Sequence, residues 1–162
     1  MALPEQIAEK RRYFSVSEAN KALPLVRAIM EDIVRQNRVV EDLQDRIASV
    51  KRDRRRPTRS QDSYSEELSQ TLEELEIREN ELRVYIQELL RLGVEFKGFD
   101  GLCDFYTLVN GREAYLCWRL GEPEILYWHD LESGFQGRQP ISTLEKAGEI
   151  AEPELEELDP TD

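Results

Sequence analysis

Few side chains in this sequence are of the types that transfer protons, attack carbonyl groups or bind metals. His129 is the single histidine and follows Tyr127 and Trp128, so it is the natural candidate for a general acid or base near neutral pH. No serine or cysteine can be assigned beside it as a nucleophile, and no pair of carboxylates frames it. A hydrogen-bonded structural histidine is therefore the favoured interpretation, and no catalytic residue is assigned.

The two cysteines, Cys103 and Cys117, are too few for the disulfide framework of a small secreted protein. Together with one histidine they do not supply an ordinary structural zinc site. We therefore expect no metal and no cofactor. Whether the chain is an enzyme stays open, and a non-enzymatic protein is favoured.

Two groups of residues are candidates for ligand binding. The loop from Ser133 to Arg138 contains two glycines and could wrap an anion, although an ordinary turn is the simpler interpretation. One face of a predicted sheet is polar and aromatic, which suits a small ligand or peptide unless this face packs on the helices. The candidate ligand-binding residues are Asp104, Tyr115, Arg119, Trp128, His129 and Arg138.

The charge distribution gives a third candidate surface. The formal net charge of −12 disfavours non-specific attraction to nucleic acid or anionic lipid. Six basic residues nevertheless cluster around one proline, and we call them the basic tip: Lys51, Arg52, Arg54, Arg55, Arg56 and Arg59. The basic tip is either a contact for RNA, DNA or an acidic protein, or a solvated loop. The acidic C-terminal segment is expected to be disordered and to compete for it.

Two segments with heptad periodicity must position these candidates. Ser15 and Glu18 form a capping box that predicts a helix start near Val16, and Pro24 should kink or divide this helix. An apolar stripe then runs along each helix, with one polar interruption in each. The stripes comprise Val26, Ile29, Ile33, Val40, Leu43, Ile47 and Val50, then Leu68, Leu72, Leu75, Leu82, Ile86 and Leu89.

An antiparallel hairpin aligns the two stripes around a centre near Pro57, where a polar, proline-containing stretch predicts a loop. The interruptions Gln36 and Glu79 then lie opposite each other, where a hydrogen bond would fix the register. Other apolar residues lie off this seam and predict cover by the β-domain and self-association into a homodimer. They are Leu25, Met30, Val34, Val39, Ile77, Val84 and Tyr85.

Beyond Gly93 the apolar period changes to about 2, which predicts strands. Asn110 and Gly111 form the preferred pair for a type I′ turn, which joins strands 103–109 and 112–119. This pairing places the two cysteines on opposite faces, so no disulfide is expected.

A third strand, residues 125–129, is predicted to follow a turn at Gly121. We expect Tyr127 and His129 on the apolar face of the sheet and Trp128 beside Cys117 and Arg119. A shift of one residue in register would exchange these assignments.

The predicted fold is α+β, a long antiparallel two-helix coiled-coil hairpin followed by a small antiparallel β-sheet domain. Residues 1–13 form a lead-in, 14–92 the hairpin with a loop at about 51–64, 93–141 the β-domain and 142–162 the acidic tail. No apolar stretch is continuous enough for a signal peptide or a membrane span, so we expect no membrane association and a cytoplasmic location.

Short motifs that are typical of one protein family are spread between Phe14 and Ile141. They are Phe14-Ser15, Glu18-Ala19-Asn20, Leu23-Pro24, Gly93-Val94, Gly101-Leu102, Asp104-Phe105, Leu116-Cys117-Trp118, Leu120-Gly121-Glu122, Tyr127-Trp128-His129, Gly134-Phe135 and Gly137-Arg138. Together they resemble the bacterial proteins grouped as domain of unknown function 2203. Cys103 and Tyr106 depart from the valine and proline of that pattern. The resemblance implies a bacterial cytoplasmic protein and supplies no catalytic residue.

These features favour an interaction or scaffold protein that uses the helical hairpin and an aromatic, arginine-containing β-surface to bind an unknown protein partner. One alternative is a nucleic-acid-associated factor that binds through the basic tip. Another is a small-ligand-binding protein or enzyme at the β-domain, which requires His129, Asp104 and Arg138 to converge in one pocket.

Overall fold

The computed structural model of the protein describes residues 3, 11–53 and 61–146. Two long helices precede a five-stranded antiparallel sheet whose strands follow chain order, which confirms the predicted α+β fold. The elements are α1 Val16–Asp53, α2 Gln61–Arg91, β1 Val94–Gly98, β2 Leu102–Val109, β3 Arg112–Arg119, β4 Tyr127–Asp130, a 3₁₀ turn Phe135–Gly137, β5 Gln139–Pro140 and α3 Ser142–Lys146.

The start of α1 follows the predicted capping box. The Glu18 backbone N–H donates to Ser15 Oγ at 3.1 Å, and the Ser15 N–H donates to the Glu18 carboxylate at 3.4 Å. Pro24 lies inside one continuous helix, so of the two predicted alternatives, a kink or a division, the division is wrong. Leu23 and Val26 flank it and are both buried, so tertiary packing holds the helix together across the missing hydrogen bond.

The two helices pack along the predicted seam, with two corrections in α2. Every apolar stripe residue of α1 is buried, whereas Leu72 is 45% exposed and Thr71 is buried in its place. Thr71 tolerates burial because its hydroxyl donates to the Glu67 carbonyl oxygen at 2.8 Å. Gln36 Nε2 donates to the Glu81 carboxylate at 2.8 Å, so the predicted pairing with Glu79 is also wrong.

The sheet packs one face on the helices. Phe105, Leu116 and Trp118 point into a continuous hydrophobic core with buried residues of α1 and α2. The Phe14 and Phe105 rings meet edge to face with centroids 5.1 Å apart. Because side chains alternate along a strand, the residues between these three point to the opposite face, away from the helices. We call this opposite side the polar face.

The β2–β3 hairpin has the predicted register. Cys103 pairs with Trp118 and Asp104 with Cys117, and both cysteines are buried and free. Asn110 and Gly111 have φ angles of 51° and 75°, as a type I′ turn requires.

The predicted position of the next strand is wrong by one residue. His129 pairs with Tyr115 and Trp128 with Leu116, so His129 and Tyr127 lie on the polar face and Trp128 on the helix-facing side. The cause is Ile125, which is buried in the connection before the strand. Its backbone N–H is held at 2.8 Å by Asn20 Oδ1, so pairing begins only at Tyr127.

Part of the basic tip can be placed. Lys51 and Arg52 are exposed in the last turn of α1, and Arg54, Arg55, Arg56 and Arg59 lie outside the described residues, as does the acidic chain end from residue 147. No helix in the described part of the chain combines the length and the apolar composition that crossing a membrane requires.

Candidate functional site on the polar face of the sheet

The polar face buries three chemically active side chains from adjacent strands. Asp104 on β2 pairs directly with Cys117 on β3, and His129 on β4 is displaced from Cys117 by two residues along the strands. Side chains two residues apart share a face, so the register alone brings the three together. Asp104, Cys117 and His129 are only 3%, 1% and 2% exposed.

Both ring nitrogens of His129 face acceptors. Nδ1 lies 2.7 Å from the carbonyl oxygen of Asp130, and Nε2 lies 3.2 Å from each carboxylate oxygen of Asp104. A carbonyl oxygen only accepts, so Nδ1 carries a proton. Burial by itself would lower the pKa of His129, but the hydrogen bonds to Asp104 and Asp130 outweigh it and raise that pKa.

Cys117 completes the cluster. Burial, assisted by the neighbouring Asp104 carboxylate, raises the pKa of the Cys117 thiol to about 12. A thiol in this state is a poor nucleophile at neutral pH. One donor atom from each of Asp104, Cys117 and His129 lies within 4.8 Å of the others, and carboxylate oxygen, sulfur and imidazole nitrogen are all zinc ligands.

A hydrogen-bonded network borders the cluster towards β1. Lys97 Nζ lies 2.7 Å from the Glu95 carboxylate, which also accepts a hydrogen bond from the Tyr106 hydroxyl. The Tyr115 hydroxyl donates to the Tyr106 oxygen at 3.1 Å. Burial alone would raise the pKa of Glu95, but its bonds to Lys97 and Tyr106 lower it. This network fixes the side chains on one flank of the cluster.

An arginine and two aromatic rings border the opposite flank. The Arg138 guanidinium lies 3.9 Å from the Tyr127 ring centroid and 4.6 Å from that of Phe135. Its Nη2 donates to both oxygens of Glu122 at 2.7 Å and lies 3.5 Å from the Cys117 carbonyl oxygen. Arg138 Nε is buried and has no hydrogen-bond partner among the described residues. The Glu122 carboxylate is therefore already bound to Arg138, the residue predicted to bind an anion.

The structure groups the predicted ligand residues only in part. Asp104, Tyr115 and His129 share the polar face, and Arg138 borders them. Arg119 lies at the edge of the same face, where its Nη2 is 2.8 Å from the Asp100 carboxylate. Trp128 does not join them, because it lies on the other face, where it borders an open groove of about 440 Å³.

Sequence reasoning missed two members of this site. The predicted register separates Cys117 from His129, because it treats residues 125–129 as one strand in continuous alternation. Glu122 was assigned to a turn, although it contacts Arg138. The cluster could have been predicted from one rule, which is that a buried histidine requires hydrogen-bond acceptors. Placing His129 opposite Tyr115 brings it next to Asp104, whereas the predicted register faced it into the apolar core.

Comparison with known proteins identifies a family but no individual related protein. The model of the family described as an uncharacterized conserved protein, DUF2203, matches residues 12–141, which include both helices and the whole polar face. No curated protein and no solved structure matches the chain.

Proposed function

The chain belongs to this uncharacterised conserved family, and we propose that it is a binding protein whose polar face holds a small polar ligand while the helical hairpin contacts a protein partner. No reaction is assigned to it. We also propose a cytoplasmic location and, following the resemblance, a bacterial origin.

The burial of Asp104, Cys117 and His129 in one place carries this proposal. Burying ionisable groups costs free energy unless they are paired, and a sheet that already packs one face on helices does not require such groups on the other. Clusters of buried titratable groups with perturbed pKa values are concentrated at functional sites. The cluster is therefore better explained by binding than by folding.

Thermal unfolding in the presence of ligands tests the proposal. A ligand that binds only the folded chain raises the midpoint temperature by mass action, so we expect at least one class among divalent metal ions, inorganic phosphate, nucleotides and small carboxylic acids to do so. Asp104→Asn and His129→Gln should abolish this shift, and Trp128→Phe, on the other face, should preserve it. A shift that is equal in all four proteins, or the absence of any shift, contradicts the proposal.

A partner-binding role for the hairpin has a separate observation in its favour. Ile77 and Val84 are 54% and 50% exposed and lie seven residues apart, on one side of α2. α1 has 38 residues, about 57 Å at 1.5 Å per residue. The longest strands have 8 residues, about 27 Å, so much of the hairpin extends past the sheet. We propose that this outer side pairs with a second copy of the chain.

Sedimentation equilibrium tests this pairing. The double variant Ile77→Ser/Val84→Ser should shift the protein from dimer to monomer. Asn80→Ser/Gln87→Ser is the matched control, because both residues are exposed, uncharged and seven residues apart on the same helix. A wild-type protein that stays monomeric at all concentrations contradicts the pairing.

Nucleic-acid binding through the basic tip ranks below these proposals. Its support is a cluster of six basic residues in a chain of net charge −12. A pull-down from cell lysate, with and without nuclease, tests it against a variant in which all six are replaced by serine. Partners lost both on nuclease treatment and on replacement would move this function to first place, whereas a discrete protein partner that survives nuclease would support the partner-binding proposal.

A further inference from the structure

We propose that the ligand of the polar face is a divalent transition-metal ion held by the Asp104 carboxylate, the Cys117 thiolate and His129 Nε2. This inference rests on the proposed function and names the ligand of the same site. It departs from the sequence-based expectation of no metal, which rests on two cysteines and one histidine being too few for an ordinary structural zinc site.

The backbone register supplies the geometry. Asp104 and Cys117 are direct partners across β2 and β3, and His129 lies on the diagonal from Cys117 across β3 and β4. Direct partners on one face have Cβ atoms about 5 Å apart and diagonal neighbours about 7–8 Å apart, which an imidazole can bridge. One donor atom from each residue lies within 4.8 Å of the other two. Three adjacent strands therefore bring three possible ligand atoms into one place.

The surroundings of His129 are those of a metal ligand. Its Nδ1–H donates to the Asp130 carbonyl oxygen at 2.7 Å, so Nε2, which faces Asp104, is the nitrogen that can bind a metal once its proton has left. Histidines that bind metals commonly donate their other N–H to a carbonyl or carboxylate in this way. The Asp130 side chain accepts the backbone N–H groups of Glu132 at 3.0 Å and Ser133 at 2.8 Å, which holds the turn that presents this carbonyl.

The charges of the three ligands balance a dication. Asp104 and a Cys117 thiolate each contribute one negative charge, and a neutral His129 contributes none. As the metal binds, the thiol proton of Cys117 and the proton on His129 Nε2 leave to solvent. The cations on either flank, Lys97 and Arg138, are already paired with Glu95 and Glu122. A +2 ion would thus make the buried cluster neutral, which lowers the cost of its burial.

A metal-free ion pair between His129 and Asp104 accounts for less of the site. In such a pair the Cys117 thiol is only a neighbour of the Asp104 carboxylate, whereas in a metal site its sulfur is a ligand. The ion pair places Nε2 at 3.2 Å from both oxygens of Asp104, as a bifurcated hydrogen bond does. A separation of 3.2 Å suits two ligand atoms around a shared ion at about 2.1 Å from each.

The donor set selects the class of ion. Magnesium and calcium take oxygen ligands, whereas thiolate with imidazole favours zinc and similar transition metals. Three protein ligands leave one tetrahedral position for water or another small donor.

Cobalt(II) is the probe for the test, because its spectrum reports both geometry and sulfur ligation. Cobalt is titrated into the full chain after removal of metals with a chelator. We expect one equivalent to bind, with the visible bands of a tetrahedral site and a near-ultraviolet thiolate-to-cobalt band, and zinc to displace it. Cys117→Ser should lose the near-ultraviolet band, and the matched variant Cys103→Ser, buried on the other face, should keep it.

Affinity adds a second measurement that does not depend on sulfur. Asp104→Asn and His129→Gln should each weaken zinc binding by at least about 100-fold, since even outer-shell partners of ligands are worth about 10–100-fold. Absence of a sulfur band in the wild type, or its retention in Cys117→Ser, overturns the metal site. If a non-metal compound then stabilises the protein through Asp104 and His129, the proposed function stands while this inference fails.

Discussion

The two faces of the sheet bury their side chains for different reasons. On the helix-facing side, Phe105, Leu116 and Trp118 are buried by hydrophobic packing, which is non-directional and stabilises the fold in proportion to area. On the polar face, Asp104 and His129 are equally buried, yet each has directional partners that offset a desolvation cost. The helix-facing side therefore accounts for the stability of the fold. The buried charged and polar residues of the polar face are not explained by stability alone.

Trp118→Ala should produce the largest loss of stability, because it opens a cavity in the helix-facing core. We expect the free energy of unfolding to fall by about 3–5 kcal/mol, measured by urea denaturation. Trp128→Ala is the matched substitution and should cost clearly less, since this tryptophan is only partly buried. Equal losses for the two variants would show that complete burial in the helix-facing core is not what makes Trp118 important for stability.

Asp104→Asn should cost less than Trp118→Ala in the metal-free protein, about 1–3 kcal/mol, because the amide keeps the shape while weakening the contact with His129. In a double-mutant cycle with His129→Gln, the combined loss should fall short of the sum by about 0.5–3 kcal/mol, as for residues in contact. Strictly additive losses would argue against direct coupling of the two side chains.

Tyr106→Phe removes one hydroxyl from the network on the polar face and leaves the ring in place. The loss of its bonds to Glu95 and Tyr115 should lower the free energy of unfolding by about 0.5–1.5 kcal/mol. Tyr85→Phe on α2 serves as the control and should be nearly neutral. If Tyr106→Phe were also neutral, the network would not contribute to the rigidity of the site.

Ile77→Ser/Val84→Ser should have the smallest effect on the fold of the monomer. Both side chains are exposed, so unfolding measured at high dilution should change by no more than about 0.5 kcal/mol. A larger loss would mean that these residues support the hairpin itself, and any change in its association could then not be assigned to the outer surface.

The elements were predictable because their signals are local. The capping box at Ser15 and Glu18, the apolar stripe of α1 and the Asn110-Gly111 turn all act through residues close in sequence, and all are confirmed. The errors arise where long-range contacts decide. Gln36 donates a hydrogen bond to Glu81, which lies two residues beyond the predicted partner Glu79.

The site was less predictable than the fold because it depends on one strand register. Asn20, more than 100 residues away in sequence, holds the backbone of Ile125 and thereby sets which face His129 occupies. No periodicity within residues 121–130 contains this information. The predicted hairpin register already places Asp104, Tyr115 and Cys117 on one face, but the position of His129 beside them depends on the register of the next strand.

Native mass spectrometry of the purified chain shows whether the polar face binds a ligand, because it reports the mass of any ligand that stays bound. We expect a species heavier than the polypeptide by one ligand per chain, and this ligand is one divalent metal ion if Asp104, Cys117 and His129 form a metal site. This species should be absent from Asp104→Asn and His129→Gln. A wild-type protein that keeps only its bare polypeptide mass after incubation with zinc and with the other ligand classes would contradict the proposal that the polar face binds a ligand.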